Sequence, residues 1–268
     1  MEAVGLLAGE GRLPVEFASA AKSAGMKVFA VGLLASSDEA LEKASECFVR
    51  INVAKLDEII KFFKDNNINK VTMLGKVTKK LLFNGQHEQI DDRMMKLIMS
   101  LKDRNDDTLM LAFVRELAAE GIETVDQTAL LKLLMPKAGI LSACKPTESE
   151  SDDIKFGFLT AKKLGELDIG QTVVIKDKAI MALEAIEGTD ACILRGGTLA
   201  GGGAVVVKTA KPQQDDRFDV PTVGIRTIES MIASDAKVLA VESGKTIIVD
   251  REKFLSVAND NGIVVVAI

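Results

Sequence analysis

Between Lys208 and Gly224 the chain reads KTAKPQQDDRFDVPTVG, where Asp215, Asp216 and Asp219 stand among the cations Lys208, Lys211 and Arg217, and Pro212 and Pro221 punctuate the segment. Upstream, Ala182 to Gly197 reads ALEAIEGTDACILRGG, setting Glu184, Glu187 and Asp190 around Gly188 and Thr189, with Arg195 beyond. Carboxylates and cations in this pattern have two readings. One is a helix cap with solvated acids for EGTD and a surface ion network for the second run, and spacing alone favours it. The other is phosphoryl chemistry: oxygen ligands hold a hard divalent cation while Lys or Arg neutralises the charge that develops on the transferring group. The presence of both runs shifts the balance toward a metal-and-phosphate site, with the two runs facing one another across a cleft.

The remaining chemistry narrows by exclusion. A single histidine, His87 in NGQHEQID, means that no Ser-His-Asp triad or multi-histidine metal site forms without it; in so polar a segment it reads as a surface residue. A carboxylate must then orient or deprotonate an attacking water. Cys47, Cys144 and Cys192 are odd in number and widely spaced, which argues against a disulfide framework and against cysteine-ligated zinc. The net charge of −5, the absence of Tyr and Trp and the lack of a long basic run argue against nucleic-acid binding. An anionic substrate must therefore be met by a local cluster of cations.

The elements that would position these residues follow from the apolar pattern. Strands are expected at Val4–Ala8, Lys27–Leu34, Cys47–Ile51 and Lys70–Leu74, with helices at Pro14–Ala24, Ser37–Ser45 and Lys55–Asn66 between them. That alternation predicts a parallel sheet covered by helices, with ligands at the carboxyl ends of its strands. Amphipathic helices are expected at Asp91–Lys102 and Asp107–Glu120, and a short one at Thr128–Met135. The Met-rich face around Met94 reads as core, with an acyl-chain surface as the alternative. Pro136, Gly139, Pro146 and the polar run TESESDD mark a change of composition, and the run supplies N-caps for a helix from Asp153 to Leu164. Beyond it come a hairpin (Thr172–Lys176 and Ala179–Glu184), strands at Ala204–Lys208, Val238–Val241, Thr246–Val249 and Ile263–Ile268, and helices within Thr222–Ala233 and Arg251–Asn259.

The fold class expected is thus α/β: an N-terminal Rossmann-like parallel-sheet domain (1–135), a linker (136–152) and a second α/β domain with a mixed sheet (153–268). No apolar run has transmembrane length and the first residues carry no basic region, so a soluble, cytoplasmic protein is expected. The turn GLLAGEGRLP brings Gly9 and Gly11 to a helix start, where glycines let backbone approach a phosphate. Its spacing is not the dinucleotide fingerprint, and it gives only a hint of a nucleotide site.

Three runs carry a family resemblance over nearly the whole chain and in the same order: GLLAGEGRLPVEFA, DIGQTVVIKDKAIMALEAIEGTDACILRGG and VVVKTAKPQQDDRFDVPTVGIRTI. The chain resembles the LpxI family, the UDP-2,3-diacylglucosamine pyrophosphatases of lipid A synthesis. The resemblance implies Mg²⁺-dependent hydrolysis of UDP-2,3-diacylglucosamine to UMP and 2,3-diacylglucosamine 1-phosphate, by two α/β domains that hold the lipid between them. The family's essential acid lies in its RFDxPT motif and corresponds to Asp219; Glu184, Glu187, Asp190 and Asp215 match family acids, and the glycine motif maps to Gly9 and Gly11. On this footing Asp219, Asp190 and Lys208 are the expected catalytic residues, and Asp219, Glu187, Asp190 and Asp215 the expected metal ligands. Gly9, Gly11, Thr189, Arg195, Lys211, Arg217 and Thr222 are expected to bind substrate, while Asp216 stays a solvated acid. Mg²⁺ is the expected cofactor, with Mn²⁺ as the alternative ion. The partners expected are a lipid-linked UDP-sugar and, through it, the surface of the inner membrane, with a homodimer left open. The competing functions are a non-catalytic nucleotide- or lipid-binding protein of the same fold and a hydrolase of another nucleoside-diphosphate sugar.

Overall fold

The computed structural model describes residues 2–34, 40–77, 90–102, 106–126, 131–213 and 220–268. Contacts divide them into two compact units, one holding residues 2–126 and the other residues from 131 onward.

In the first unit, β1 (Ala3–Ala8), β2 (Lys27–Gly32), β3 (Cys47–Arg50), β4 (Lys70–Leu74) and β5 (Glu123–Thr124) form one parallel sheet in the order β3-β2-β1-β4-β5. Ala8 lies opposite Gly32 on one side and Leu74 on the other, so three strands end at one level. The connections are α1 (Leu13–Ser23), α2 (Ala40–Ala44), α3 (Leu56–Asp65), α4 (Asp92–Ser100) and α5 (Asp106–Ala119). Pro14 occupies the first turn of α1, where its missing N–H costs nothing. α3 shows why its segment is helical and where it packs: Leu56, Ile59, Ile60 and Phe63 recur at helical spacing, and all are buried. The Asp91 side chain caps α4 by accepting from the Met94 amide at 2.8 Å, and also accepts from the Asp57 amide at 2.7 Å. Met94 and Leu97 are in the core, as the Met-rich face suggested. Of the helix expected at 37–45 the described part is Ala40–Ala44, and of the helix expected at 128–135 it is a 3₁₀ turn at Lys132–Leu134.

The turns after β1 and β4 interlock. The Gly9 amide donates to the Leu74 carbonyl at 2.8 Å, and Glu10 and Lys76 exchange backbone hydrogen bonds at 3.0 and 3.1 Å. A Cβ on Gly9 would stand 2.6 Å from the Lys76 carbonyl oxygen, and one on Gly75 2.7 Å from that of Glu10. The two glycines are small because each faces the other's backbone.

The second unit is built on a sheet of six strands, β6 (Gly139–Ile140), β7 (Thr172–Lys176), β8 (Ala179–Leu183), β9 (Val205–Lys208), β11 (Val238–Val241) and β13 (Val264–Ala267), ordered β6-β13-β11-β9-β7-β8. The central three run parallel; β6 and β7 flank them antiparallel, and β7 and β8 form the expected hairpin. All four residues of β9, β11 and β13 are buried, the continuous apolar pattern of strands covered on both faces. One face packs on α6 (Glu148–Glu166) through Ile154, Ala161 and Leu164. The other packs on α7 (Thr189–Ala200), α8 (Ile225–Ala233) and α9 (Arg251–Asp260) through Ile193, Ile228 and Phe254. A separate pair, β10 (Thr222–Val223) with β12 (Ile247–Ile248), runs parallel beside it.

α6 begins five residues ahead of the expected Asp153. Thr147 and Glu150 form a reciprocal capping box, Thr147 N–H to Glu150 Oε2 at 2.7 Å and Glu150 N–H to Thr147 Oγ1 at 3.2 Å, so the polar run is helix and not its lead-in. Residues 136–152, expected as a linker, thus contain β6 and the first turn of α6.

Candidate active site

β9 carries an apolar run into the middle of the sheet and ends on Lys208, opposite Val241 of β11 and Thr172 of β7. Carboxyl ends of parallel strands are where such sheets place ligands. The Lys208 side chain is buried, and its ammonium donates to Thr189 Oγ1 at 2.8 Å. The Thr189 hydroxyl in turn meets Glu184 Oε1 at 2.8 Å. An ammonium only donates and a carboxylate only accepts, so the hydroxyl takes its hydrogen bond from Lys208 and gives its own proton to Glu184. Glu184 is also buried; its Oε2 accepts from the Gln171 amide at 3.4 Å, and its amide donates to the Thr172 carbonyl at 2.9 Å. Opposite charges taken out of water are tolerable when they are paired and hydrogen-bonded, and this chain of contacts meets both conditions.

The geometry follows from three local features. β8 delivers Glu184 one residue past its end. Gly188, at φ 83°, makes the bend and is itself the residue ahead of α7. Thr189 and Asp190 therefore lie inside the first turn of α7, and neither caps it, a correction to the cap expected at these positions. α7 then packs close on the sheet and on the end of α8: a Cβ on Gly196 would fall 2.5 Å from Cβ of Val174, and one on Gly197 2.5 Å from Cβ of Ser234, which caps α8. The two runs singled out in the sequence thus meet through Lys208, Thr189 and Glu184.

The other described residues of the runs are held by separate partners. Arg195 pairs with Glu187 at 2.5 Å and donates to the Leu183 carbonyl at 2.9 Å, tying α7 to the end of β8. A hydrogen bond from its own backbone N–H and then the Arg195 guanidinium hold the Glu187 carboxyl below the usual carboxylate range. Asp190 lies 3.4 Å from Arg226, a cation that the sequence reading did not select. Lys211 pairs with Asp168 at 2.7 Å, and the Thr222 hydroxyl donates to the Val220 carbonyl at 3.0 Å. The amides of Gly9 and Glu10 donate within the protein, and Gly11, at φ 102°, completes the turn into α1. His87, Asp215, Asp216, Arg217 and Asp219 lie outside the described residues.

Among the described residues no three His, Cys, Asp or Glu side chains converge to hold a metal ion. Glu187 and Asp190 each face an arginine, and Glu184 faces Thr189. The described residues alone therefore do not make a Mg²⁺ site, and no chemical step is assigned here to a metal. A half-buried clasp was also invisible to spacing: Lys162 of α6 lies 3.0 Å from Glu242, donates to the Ala210 carbonyl at 2.9 Å, and Glu242 accepts from the Ala210 amide at 2.7 Å. It fastens the chain just beyond Lys208. Partners 80 residues apart leave no local signal.

Comparison with known proteins gives consistent matches. The model of the LpxI N-terminal domain matches residues 3–134 and that of the LpxI C-terminal domain residues 137–266. The UDP-2,3-diacylglucosamine pyrophosphatase LpxI of Caulobacter vibrioides is 29% identical over 279 aligned positions, covering 100% of this chain and 98% of that protein. Solved structures resemble it only distantly. A UDP-glucose-4-epimerase from Stenotrophomonas maltophila matches at TM-score 0.31 and 10% identity, over 46% of this chain and 35% of its own. An N5-carboxyaminoimidazole ribonucleotide synthetase from Thermotoga maritima matches at TM-score 0.28 and 15% identity, over 69% and 42%. The chain spans well under half the length of either.

Proposed function

The chain belongs to the LpxI family, and we propose that it hydrolyses the pyrophosphate bond of UDP-2,3-diacylglucosamine to give UMP and 2,3-diacylglucosamine 1-phosphate. The observation that carries this reading is the match to both family domains, in order and end to end, together with the full-length match to the Caulobacter vibrioides enzyme. The site geometry is compatible with it. A buried ammonium at the carboxyl end of β9 is suited to neutralising a phosphate group, because charge is stabilised more strongly out of bulk water.

In the reaction, water adds its oxygen to one phosphorus and gives up a proton, while the anhydride oxygen leaves with the other phosphate. Asp219 is assigned the water-orienting role by its place in the RFDVPT motif, with Lys208 stabilising negative charge on the phosphates. Mg²⁺ is part of the proposal, with Glu187, Asp190, Asp215 and Asp219 as the candidate oxygen ligands; a bound divalent cation would supply Lewis-acid polarisation of a phosphoryl oxygen. Because the substrate is a lipid, contact with the inner-membrane surface belongs to the same proposal; no described helix is long and apolar enough to cross a membrane.

The test is release of UMP from UDP-2,3-diacylglucosamine by the purified full-length protein with Mg²⁺, repeated with EDTA and with Asp219→Ala. Expected are UMP release by the wild type and its loss in both controls. A wild type that releases no UMP overturns the activity, and an Asp219→Ala protein at the wild-type rate overturns the assignment of Asp219.

A further inference from the structure

Resting on that reading, we propose that Thr189 and Glu184 are positioning residues for Lys208: a carboxylate–hydroxyl relay, its two charged ends buried, that aims the ammonium at the phosphates. Three observations support it. First, the polarity of the relay is fixed by chemistry, since Lys208 can only donate and ionised Glu184 can only accept, leaving Thr189 one arrangement that serves both at 2.8 Å. Second, all its ends are anchored on backbone that is itself constrained. Lys208 closes a central strand, Glu184 is fixed by contacts with Gln171 and Thr172, and Thr189 begins a helix seated closely on Val174. Third, the stem of Lys208 is buried, so its rotamers are few and the contact with Thr189 fixes the amine at its tip.

The relay also gives Glu184 a task of its own. Its negative charge stands one hydroxyl away from the ammonium in a buried setting, where opposite charges act on one another more strongly than in water. The Thr189 hydroxyl lies between Glu184 and Lys208, and its effect on the substrate passes through Lys208.

The experiment is steady-state UMP release by full-length wild type, Thr189→Val, Thr189→Ser, Glu184→Gln, Lys208→Met and the Lys208→Met/Thr189→Val double variant, with thermal midpoints recorded in parallel. Valine keeps the shape of threonine and removes the hydroxyl. Misaiming the amine should lower kcat about 10- to 100-fold with KM within about twofold, since the loss falls on positioning in the transition state. Thr189→Ser should recover most of the loss. In the Lys208→Met background Thr189→Val should cost nothing further, a non-additivity that a merely structural role would not produce. Should Thr189→Val fold poorly, Glu184→Gln carries the same expectation for kcat. A Thr189→Val enzyme with wild-type kcat, or the same fold-loss in both backgrounds, overturns the relay and leaves the pyrophosphatase reading standing. A wild type that releases no UMP overturns the two together.

Discussion

Replacing Gly196 by alanine sets two effects of opposite sign against each other. Mid-helix, alanine is preferred over glycine by about 1 kcal/mol, so local propensity alone predicts a more stable protein. The packing of α7 predicts the reverse. The new Cβ would stand 2.5, 2.7 and 2.8 Å from the three side-chain carbons of Val174, where ordinary contact begins at 3.4 Å. Val174 is fully buried on β7, and a β-branched side chain has no rotamer that withdraws all three atoms. Helix or strand must therefore give by about an ångström, and overpacking of this kind costs about 1–3 kcal/mol. With so stiff a neighbour the upper part of that range applies, leaving a net loss of about 1–2 kcal/mol after the propensity gain. Urea unfolding of the full-length wild type, Gly196→Ala, Val174→Ala and the double variant measures it. The midpoint of Gly196→Ala should fall, and the double variant should be more stable than the two single losses predict, because Val174→Ala removes two of the three close carbons and leaves only the Cβ contact to be relieved. A Gly196→Ala protein whose midpoint rises, or strict additivity between the two sites, would refute the close approach.

Two further outcomes follow from ion pairs. Lys64 first and Arg93 second hold the Glu120 carboxyl down to about 2, from an ordinary 4.5. Its stabilising effect is therefore complete above about pH 4.5 and disappears as the pH falls toward 2, so the gap in urea midpoint between wild type and Glu120→Gln should be open at pH 7 and closed near pH 2; a gap independent of pH would refute the assignment. Lys162→Met should destabilise by about 1–3 kcal/mol, because Glu242 keeps its hydrogen bond from Ala210 but loses the cation that balances its half-buried charge. Urea titration checks it, and an unchanged midpoint would show that the clasp contributes nothing.

What the sequence disclosed depended on the range of the interaction. The runs VVVK, VLAV and VVVA are strands because unbroken apolar stretches of that length suit a sheet covered on both faces, and they were readable without any partner. β5 and β6, two residues each, exist only because Lys70–Val71 and Val266–Ala267 offer them edges, and nothing in their own residues announces a strand. The early start of α6 was legible in principle, since Thr147 and Glu150 have capping-box spacing, but the polar run masked it. In the site, residue types singled out Lys208 and Thr189, while their contact required the antiparallel placement of β7 between β8 and β9. The pairings of Asp190 with Arg226 and of Lys162 with Glu242 join segments far apart in the chain, and periodicity cannot report them.

The interlocked turns after β1 and β4 bear on what a strand order can reveal. The order β3-β2-β1-β4-β5 reverses direction between β1 and β4, and in dinucleotide-binding sheets that reversal opens a crevice for the cofactor's pyrophosphate. Here the turns on either side of that reversal are tied together: the Gly9 and Glu10 amides bind Leu74 and Lys76, and Gly9 and Gly75 each admit the other's backbone. Gly9 and Gly75 thus act as a clasp that fastens the ends of β1 and β4 at the point where the strand order turns back.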